Sequence, residues 1–236
     1  MHESNSSRTF NVDFDGFKIF ASIQNEKKSK NALMIHGGAR NHEIFNPLAQ
    51  WMITHFEMGT LTFDCIGHGL SEGQFSDSSL MLRTQLAQHL IQHSQCEVHC
   101  CIGVSMGAYN AIKLSTQLNL DSLVLIVPGV YTPTAYPVHF GDSFSEIIRI
   151  ENSWLDSDAW EILNAFQGRL LIVSAECDEV VPAAIPKKLY QSASNAAWKK
   201  HLIIPEAVHK KFMEQLWDHD QHRIEFLSAL TRCISI

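Results

Sequence analysis

The sequence predicts an α/β protein, a mostly parallel central sheet with helices on both faces. Three observations carry this. Short continuous apolar runs alternate with amphipathic helical stretches from residue 32 onward, the pattern of strands buried on both sides. A hairpin signal precedes them. One apolar run passes through a Gly-x-Ser-x-Gly turn straight into a helical stretch.

The elements follow in chain order. Residues 9–14 and 17–24 read as strands joined at Asp15-Gly16, a pair that favours the tight hairpin turn. A charged turn at 26–30 leads into the apolar strand 32–35, which ends at His36-Gly37-Gly38. Residues 47–56 read as a helix with Leu48, Trp51 and Met52 on one side, and 60–65 as the next strand. The stretch 78–93 places Leu82, Leu86 and Leu90 at i, i+4 and i+8 opposite a polar face, which predicts an amphipathic helix. Strand 97–104, helix 106–117 and strand 122–127 continue the alternation. It breaks at 131–166, a stretch with prolines, aromatics and an acidic helical segment at 157–164. This stretch is read as a small cap insertion lying over the sheet edge. Strand 170–174, helix 183–192, strand 201–204 and a closing helix at 212–230 complete the pattern.

Composition sets outer limits. The 236 residues suit one domain, 1–236, around one core. Hydrophobic residues at 45% and charged residues at 18% exclude a disordered chain. A formal net charge of -7 excludes the basic footprint that nucleic acid or an anionic membrane demands. The polar opening, residues 1–7, lacks the cationic and apolar runs of a signal peptide. No apolar stretch approaches the roughly 18–20 residues of a membrane span. A cytoplasmic protein is the expectation.

Cys65, Cys96, Cys100, Cys101, Cys177 and Cys233 form no Cys-x-x-Cys pair. Cys100 and Cys101 are neighbours in an apolar strand, so they should face opposite sides and pack as small hydrophobes. No His-x-x-x-His pair stands beside a third ligand on an evident helix. Neither a metal nor an organic cofactor is expected.

The run Cys100-Cys101-Ile102-Gly103-Val104-Ser105-Met106-Gly107-Ala108 concentrates the chemistry. A strand enters the pentapeptide and a helix leaves it, so the turn forces the serine into strained geometry between small flanking residues. Ser105 then stands at a helix N-terminus, where free amides and the helix dipole favour negative charge. A serine nucleophile needs a base, and the base needs an orienting acid. After strand 170–174 come Glu176, Asp178 and Glu179, and beyond strand 201–204 comes His209.

With these residues in that order, the chain resembles the α/β-hydrolase superfamily over nearly its whole length. Its likeness is closest to small cinnamoyl or feruloyl esterases and monoacylglycerol-lipase-like enzymes. That closer likeness lies in Asp64-Cys65-Ile66-Gly67-His68-Gly69-Leu70-Ser71, similar to the Asp-x-x-Gly-His-Gly-x-Ser loop of those enzymes. The loop reads as structural, with glycines turning the chain and Asp64 and Ser71 tying the turn down. The resemblance implies a catalytic triad of Ser105, Asp178 and His209, the acid matching an Asp-x-x-x-Pro pattern that ends at Pro182. It implies an oxyanion hole from the backbone N–H groups of Gly38 and Met106, with Ala39 as the alternative to Gly38, and a loop-holding role for His36. Two flanks depart from the family: Ala175 stands where Gly is frequent, and Glu206-Ala207-Val208 replaces a small-residue turn before His209.

The implied reaction is hydrolysis of a small-molecule carboxylic ester through an acyl-enzyme intermediate. Thioester hydrolysis and acyl transfer use the same three residues. Peptidase, amidase and carbon–carbon hydrolase chemistries share the scaffold, as does a non-catalytic ligand-binding relative. Haloalkane dehalogenation requires a carboxylate where this chain has Ser105. Tyr131, Tyr136, Phe140, Trp154 and Trp160 are candidates either to line a pocket under the cap or to pack the cap itself.

Overall fold

The predicted hairpin forms β1 (Ser7–Phe14) and β2 (Phe17–Gln24), with Asp15 and Gly16 both at positive φ, 52° and 84°. Such a turn matches the right-handed twist of the strands it joins. The computed structural model describes residues 7–26 and 28–235. The polar opening, 1–6, and Lys27 of the charged turn lie outside the described residues.

Six further strands follow: β3 (Asn31–Ile35), β4 (Gly59–Phe63), β5 (Val98–Val104), β6 (Ser122–Ile126), β7 (Arg169–Ala175) and β8 (Trp198–Ile204). They join the hairpin in one sheet of order β1-β2-β4-β3-β5-β6-β7-β8. β2 runs antiparallel to β1 and to β4, and every other pairing is parallel. Parallel neighbours need crossovers, which the helices supply.

One apolar layer holds α1 (Asn46–Phe56) and α8 (Asp220–Ile234), whose Leu48, Met52, Phe226 and Leu230 meet Met34, Cys100 and Ile102. The opposite layer holds α2 (Leu80–Ser94), α3 (Met106–Leu114) and α6 (Ala184–Ser192). There Leu86, Ile112 and Leu189 meet Leu33, Cys101 and Leu125. Cys100 and Cys101 therefore do face opposite layers, both fully buried. Burial pushes the Cys100 thiol up to about 12 and that of Cys101 well above its ordinary value, so neither is a reactive thiolate at neutral pH.

Three expectations need correction. The closing helix is two helices, α7 (Phe212–Asp218) and α8, because His219 takes an extended backbone. The break is supported locally: the Arg223 guanidinium donates to the freed Trp217 carbonyl and pairs with Asp220 at the start of α8. The segment 131–166 leaves β6 and returns to β7, both interior strands. It contains a helix unseen in the sequence, α4 (Asp142–Arg149), besides α5 (Ala159–Ala165), and α5 packs on α3 and α6. Finally, Leu82 is only half-buried, while Arg83 and Thr84 of the same helix are buried completely or nearly so.

The connectivity selects the site. From β3 the chain crosses by α1 to β4 on one side, then by α2 to β5 on the other. The direction of winding reverses between β3 and β5, and ligands of open α/β sheets bind at the carboxyl ends of strands flanking such a reversal. Gly38 follows one of those strands and Ser105 the other.

Candidate active site

Ser105 sits between β5 and α3 at φ 53° and ψ −115°, a conformation that residues with side chains avoid. Glycine on either side permits it. A Cβ on Gly103 would lie 2.3 Å from the Gly107 carbonyl oxygen, and one on Gly107 would lie 2.2 Å from that of Ile35. Strand and helix thus cross at backbone contact, and the serine is pushed outward at the start of α3.

The Ser105 hydroxyl lies 2.9 Å from His209 Nε2, and His209 Nδ1 lies 2.9 Å from Asp178 Oδ2. Asp178 Oδ1 accepts the amides of Val181 and Val180, at 2.7 and 2.9 Å. Burial opposes ionisation of Asp178, but the His209 ring and these two amides outweigh it and hold its carboxyl below the usual range. An ionised Asp178 accepts the hydrogen bond of Nδ1–H and so keeps the ring proton on Nδ1, which leaves Nε2 free to accept from the serine. Glu176 and Glu179, the other acids of this loop, bond backbone instead: Glu176 accepts from Glu206 N and Glu179 from His209 N. Neither bonds the ring.

Opposite Ser105 is the turn after β3. A Cβ on Gly37 would lie 3.3 Å from Ser105 Cβ, and one on Gly38 would touch Met106 Cε at 3.4 Å. The amides of Gly38, Ala39 and Met106 have no partner among the hydrogen bonds of the described residues. His36 is fully buried; its Nδ1–H donates to the Gly37 carbonyl at 2.7 Å, and its Nε2 accepts the Cys65 amide at 3.0 Å. Burial and the Arg83 guanidinium keep His36 well below the ordinary histidine range, so it stays neutral. Since C=O and N–H of a trans peptide point oppositely, fixing the Gly37 carbonyl also aims the Gly38 amide. His68 Nε2 lies 2.7 Å from the Gly38 carbonyl, and buried Arg83 donates to the His36 carbonyl. Arg83 had no sequence signal, because a helical arginine reads as surface.

The Asp64 loop buttresses this turn. Asp64 Oδ1 accepts the His42 amide and ring Nδ1 at 2.7 and 2.9 Å, and Oδ2 accepts the Leu70 amide at 2.8 Å. Ser71 Oγ donates to the Asp64 carbonyl and accepts the Phe20 amide. Gly69 to Gly73 is a second Gly-x-Ser-x-Gly, but its serine is tied into this turn and has no histidine on it. Burial raises the Asp64 pKa, yet the His42 ring and the Leu70 and His42 amides bring it below the usual value. A depressed carboxylate stabilises the fold fully above its unfolded pKa of about 3.9, and that stability is lost as pH falls through the folded pKa. Asp64→Asn should therefore cost about 3 kcal/mol at pH 7 by leaving a buried donor unmet. In urea titrations the gap between variant and wild type should shrink near pH 3. An unchanged gap there means that the ionised form is not what Asp64 contributes.

Two hollows meet at Ser105. One, of about 500 Å3, lies under 131–166 and is walled by Tyr131, Ile148, Trp154, Val181 and Ile185. The other, of about 320 Å3, lies on the His209 side with Gly38, Val104, Val127 and Met213. Of the five cap aromatics, Tyr131 and Trp154 line the larger hollow. Tyr136 packs edge-on to Tyr109, Phe140 stacks on Phe75, and Trp160 packs edge-on to Trp154. Among the described residues no group of three His, Cys, Asp or Glu is placed to hold a metal ion. No helix among them is long and apolar enough to cross a membrane.

No family model matches the sequence, and neither does any curated protein. The structure has close neighbours among solved structures. Est1E from Butyrivibrio proteoclasticus, solved with ferulic acid bound, matches with a TM-score of 0.68 at 17% identity, over 94% of this chain and 99% of that one. A thioesterase domain from the curacin biosynthetic pathway matches with a TM-score of 0.68 at 14% identity, over 94% and 100%. The enol-lactonase from Burkholderia xenovorans matches with a TM-score of 0.68 at 14% identity, over 92% and 99%. The chain has the α/β-hydrolase fold.

Proposed function

We propose that the protein is a serine hydrolase that cleaves small carboxylic esters through an acyl-enzyme. The observation that carries this reading is the unbroken line Asp178–His209–Ser105, two contacts of 2.9 Å ending on a serine in strained backbone geometry. In the proposed reaction His209 Nε2 takes the Ser105 proton and the oxygen attacks the ester carbonyl. Asp178 stabilises the imidazolium. The amides of Gly38 and Met106 receive the oxyanion, a type of contact worth about a hundredfold or more in rate per donor. His209 then protonates the leaving alcohol, and water repeats the sequence to release the acid.

The leaving oxygen must lie within reach of His209, which lines only the 320 Å3 hollow of the two; this favours the alcohol there and the acyl group in the larger one. Residues 131–166 act as the cap over that acyl pocket. Est1E with its ferulic acid and the thioesterase domain both support acyl chemistry on this scaffold.

A fluorophosphonate should label the wild type at Ser105 and leave folded Ser105→Ala unlabelled. Labelling that persists in the variant overturns the assignment. The same proteins assayed on aryl esters of graded acyl length, hydroxycinnamate esters and acyl thioesters would place the substrate.

A further inference from the structure

We infer that Glu179 is a positioning residue, its carboxylate fixing the backbone that carries His209 against Ser105. The inference rests on the functional reading above and concerns a residue which that reading does not use.

His209 follows a turn that lacks the usual means of support. Glu206 sits at φ 56°, where a glycine would be at ease, and no glycine lies between β8 and His209. Side chains hold the turn instead. Glu176 Oε2 accepts the Glu206 amide at 2.9 Å, Gln215 Oε1 the Val208 amide at 2.9 Å, and Glu179 Oε2 the His209 amide at 3.1 Å. Cys177 N adds a bond to the Ala207 carbonyl at 2.9 Å. On the next residue Arg40 donates to the Lys210 carbonyl and pairs with Glu214 at 2.8 Å. The backbone at His209 is thus bracketed, by Glu179 on its amide and by Arg40 one residue on.

Asp178 and Glu179 divide the work between them. Asp178 bonds Nδ1 and so sets ring orientation and tautomer, but a ring bond does not set where the Cα stands. That depends on the main chain, and Glu179 holds it. Two successive residues can both reach the His209 loop because Asp178 caps its own turn, accepting from Val180 and Val181 and curling the chain. The Glu179 carboxyl is held below its ordinary value by bonds from its own amide, from His209 and from Lys210, so it is a standing acceptor at neutral pH. It is also exposed, and water competes for its bonds. Glu176, Gln215 and Arg40 remain when it is removed, so a partial loss is expected rather than the hundredfold of a full 1 Å misplacement.

The test compares Glu179→Ala and Glu179→Gln with wild type by steady-state hydrolysis of an aryl ester and by the rate of fluorophosphonate labelling. Melting temperatures are recorded, and Ser105→Ala serves as blank. Glu179→Ala should lower kcat about tenfold with KM within about twofold, and slow labelling by the same factor. Glu179→Gln keeps an acceptor oxygen and should stay within about threefold of wild type. The inference is overturned if Glu179→Ala keeps wild-type kcat and labelling, if only KM changes, or if both variants lose equally. A wild type that takes no label at Ser105 overturns the functional reading first. A labelled wild type with an unimpaired Glu179→Ala overturns this one alone.

Discussion

Asp178→Asn should lower kcat about ten-thousandfold while leaving the protein folded and KM little changed. The asparagine can still occupy the site, because its oxygen can take the Val180 and Val181 amides that Oδ1 accepts now. What changes is the group facing His209. An amide nitrogen opposite Nδ1 donates where the carboxylate accepted, so the imidazole moves its proton to Nε2. Nε2 then meets the Ser105 hydroxyl as a donor and cannot take its proton. The imidazolium of the transition state also loses the charge 2.9 Å away. Glu176→Gln, by contrast, should cost little, since Glu176 bonds the Glu206 amide and not the ring. The pH profile gives a second reading. Asp178 is held ionised below the usual carboxylate range, so it keeps its charge above about pH 4. Activity lost on acidification above that pH therefore belongs to protonation of the base, with a one-proton slope. Stopped-ester kinetics against pH on wild type and Asp178→Asn would check both points. A variant with more than a tenth of wild-type kcat is incompatible with Asp178 as the orienting acid.

That Ser105, Asp178 and His209 should meet at one place was legible in the sequence, because each is announced by its immediate neighbours and by order along the chain. An apolar strand ends, a turn follows, and the residue sits at the carboxyl end of the sheet. That information is local and survives without coordinates. Other features were not local. Arg83 is buried because a carbonyl forty-seven residues earlier needs a donor, and nothing around Arg83 announces that. Helix α4 carries an apolar stripe, Phe144, Ile147 and Ile148 at i, i+3 and i+4, but it runs for only eight residues just after Pro133, Pro137 and Gly141, where the surroundings read as irregular. The strand β8 begins at Trp198, three residues before the predicted start, because as an edge strand it carries Lys199 and Lys200 without the continuous apolar run of a central one. The break at His219 rests on an arginine that reaches back to a freed carbonyl. Glu176 and Glu179 were legible as acids, but competition among three carboxylates is decided by which one meets a ring and which meet amides. Only the fold decides that.

Gly107→Ala should cost stability heavily and activity more heavily still. The new Cβ would lie 2.2 Å from the Ile35 carbonyl oxygen and 2.6 Å from that of His36. Both are backbone atoms at the end of β3, so no side chain can rotate away, and α3 must separate from the strand. Overpacking typically costs 1–3 kcal/mol, and a backbone collision belongs at or above the top of that range, about 3 kcal/mol. A domain of ordinary stability, roughly 5–15 kcal/mol, can survive that loss. Function should suffer more than stability, because the separation moves the Met106 amide at the head of α3 away from the Gly38 amide beyond β3. A shift of about 1 Å between two donors that serve one oxyanion costs about a hundredfold. Gly16→Ala is the matching control: nothing lies within 4 Å of its Cβ, so only the φ of 84° is penalised, at about 1 kcal/mol and far from Ser105. Urea midpoints and the rate of Ser105 labelling should separate the two variants. Gly16→Ala labels at the wild-type rate, and Gly107→Ala labels slowly even well below its unfolding midpoint. Equal midpoints for Gly107→Ala and wild type would mean that α3 does not ride on the β3 backbone, and the elbow that aims Ser105 would need another explanation.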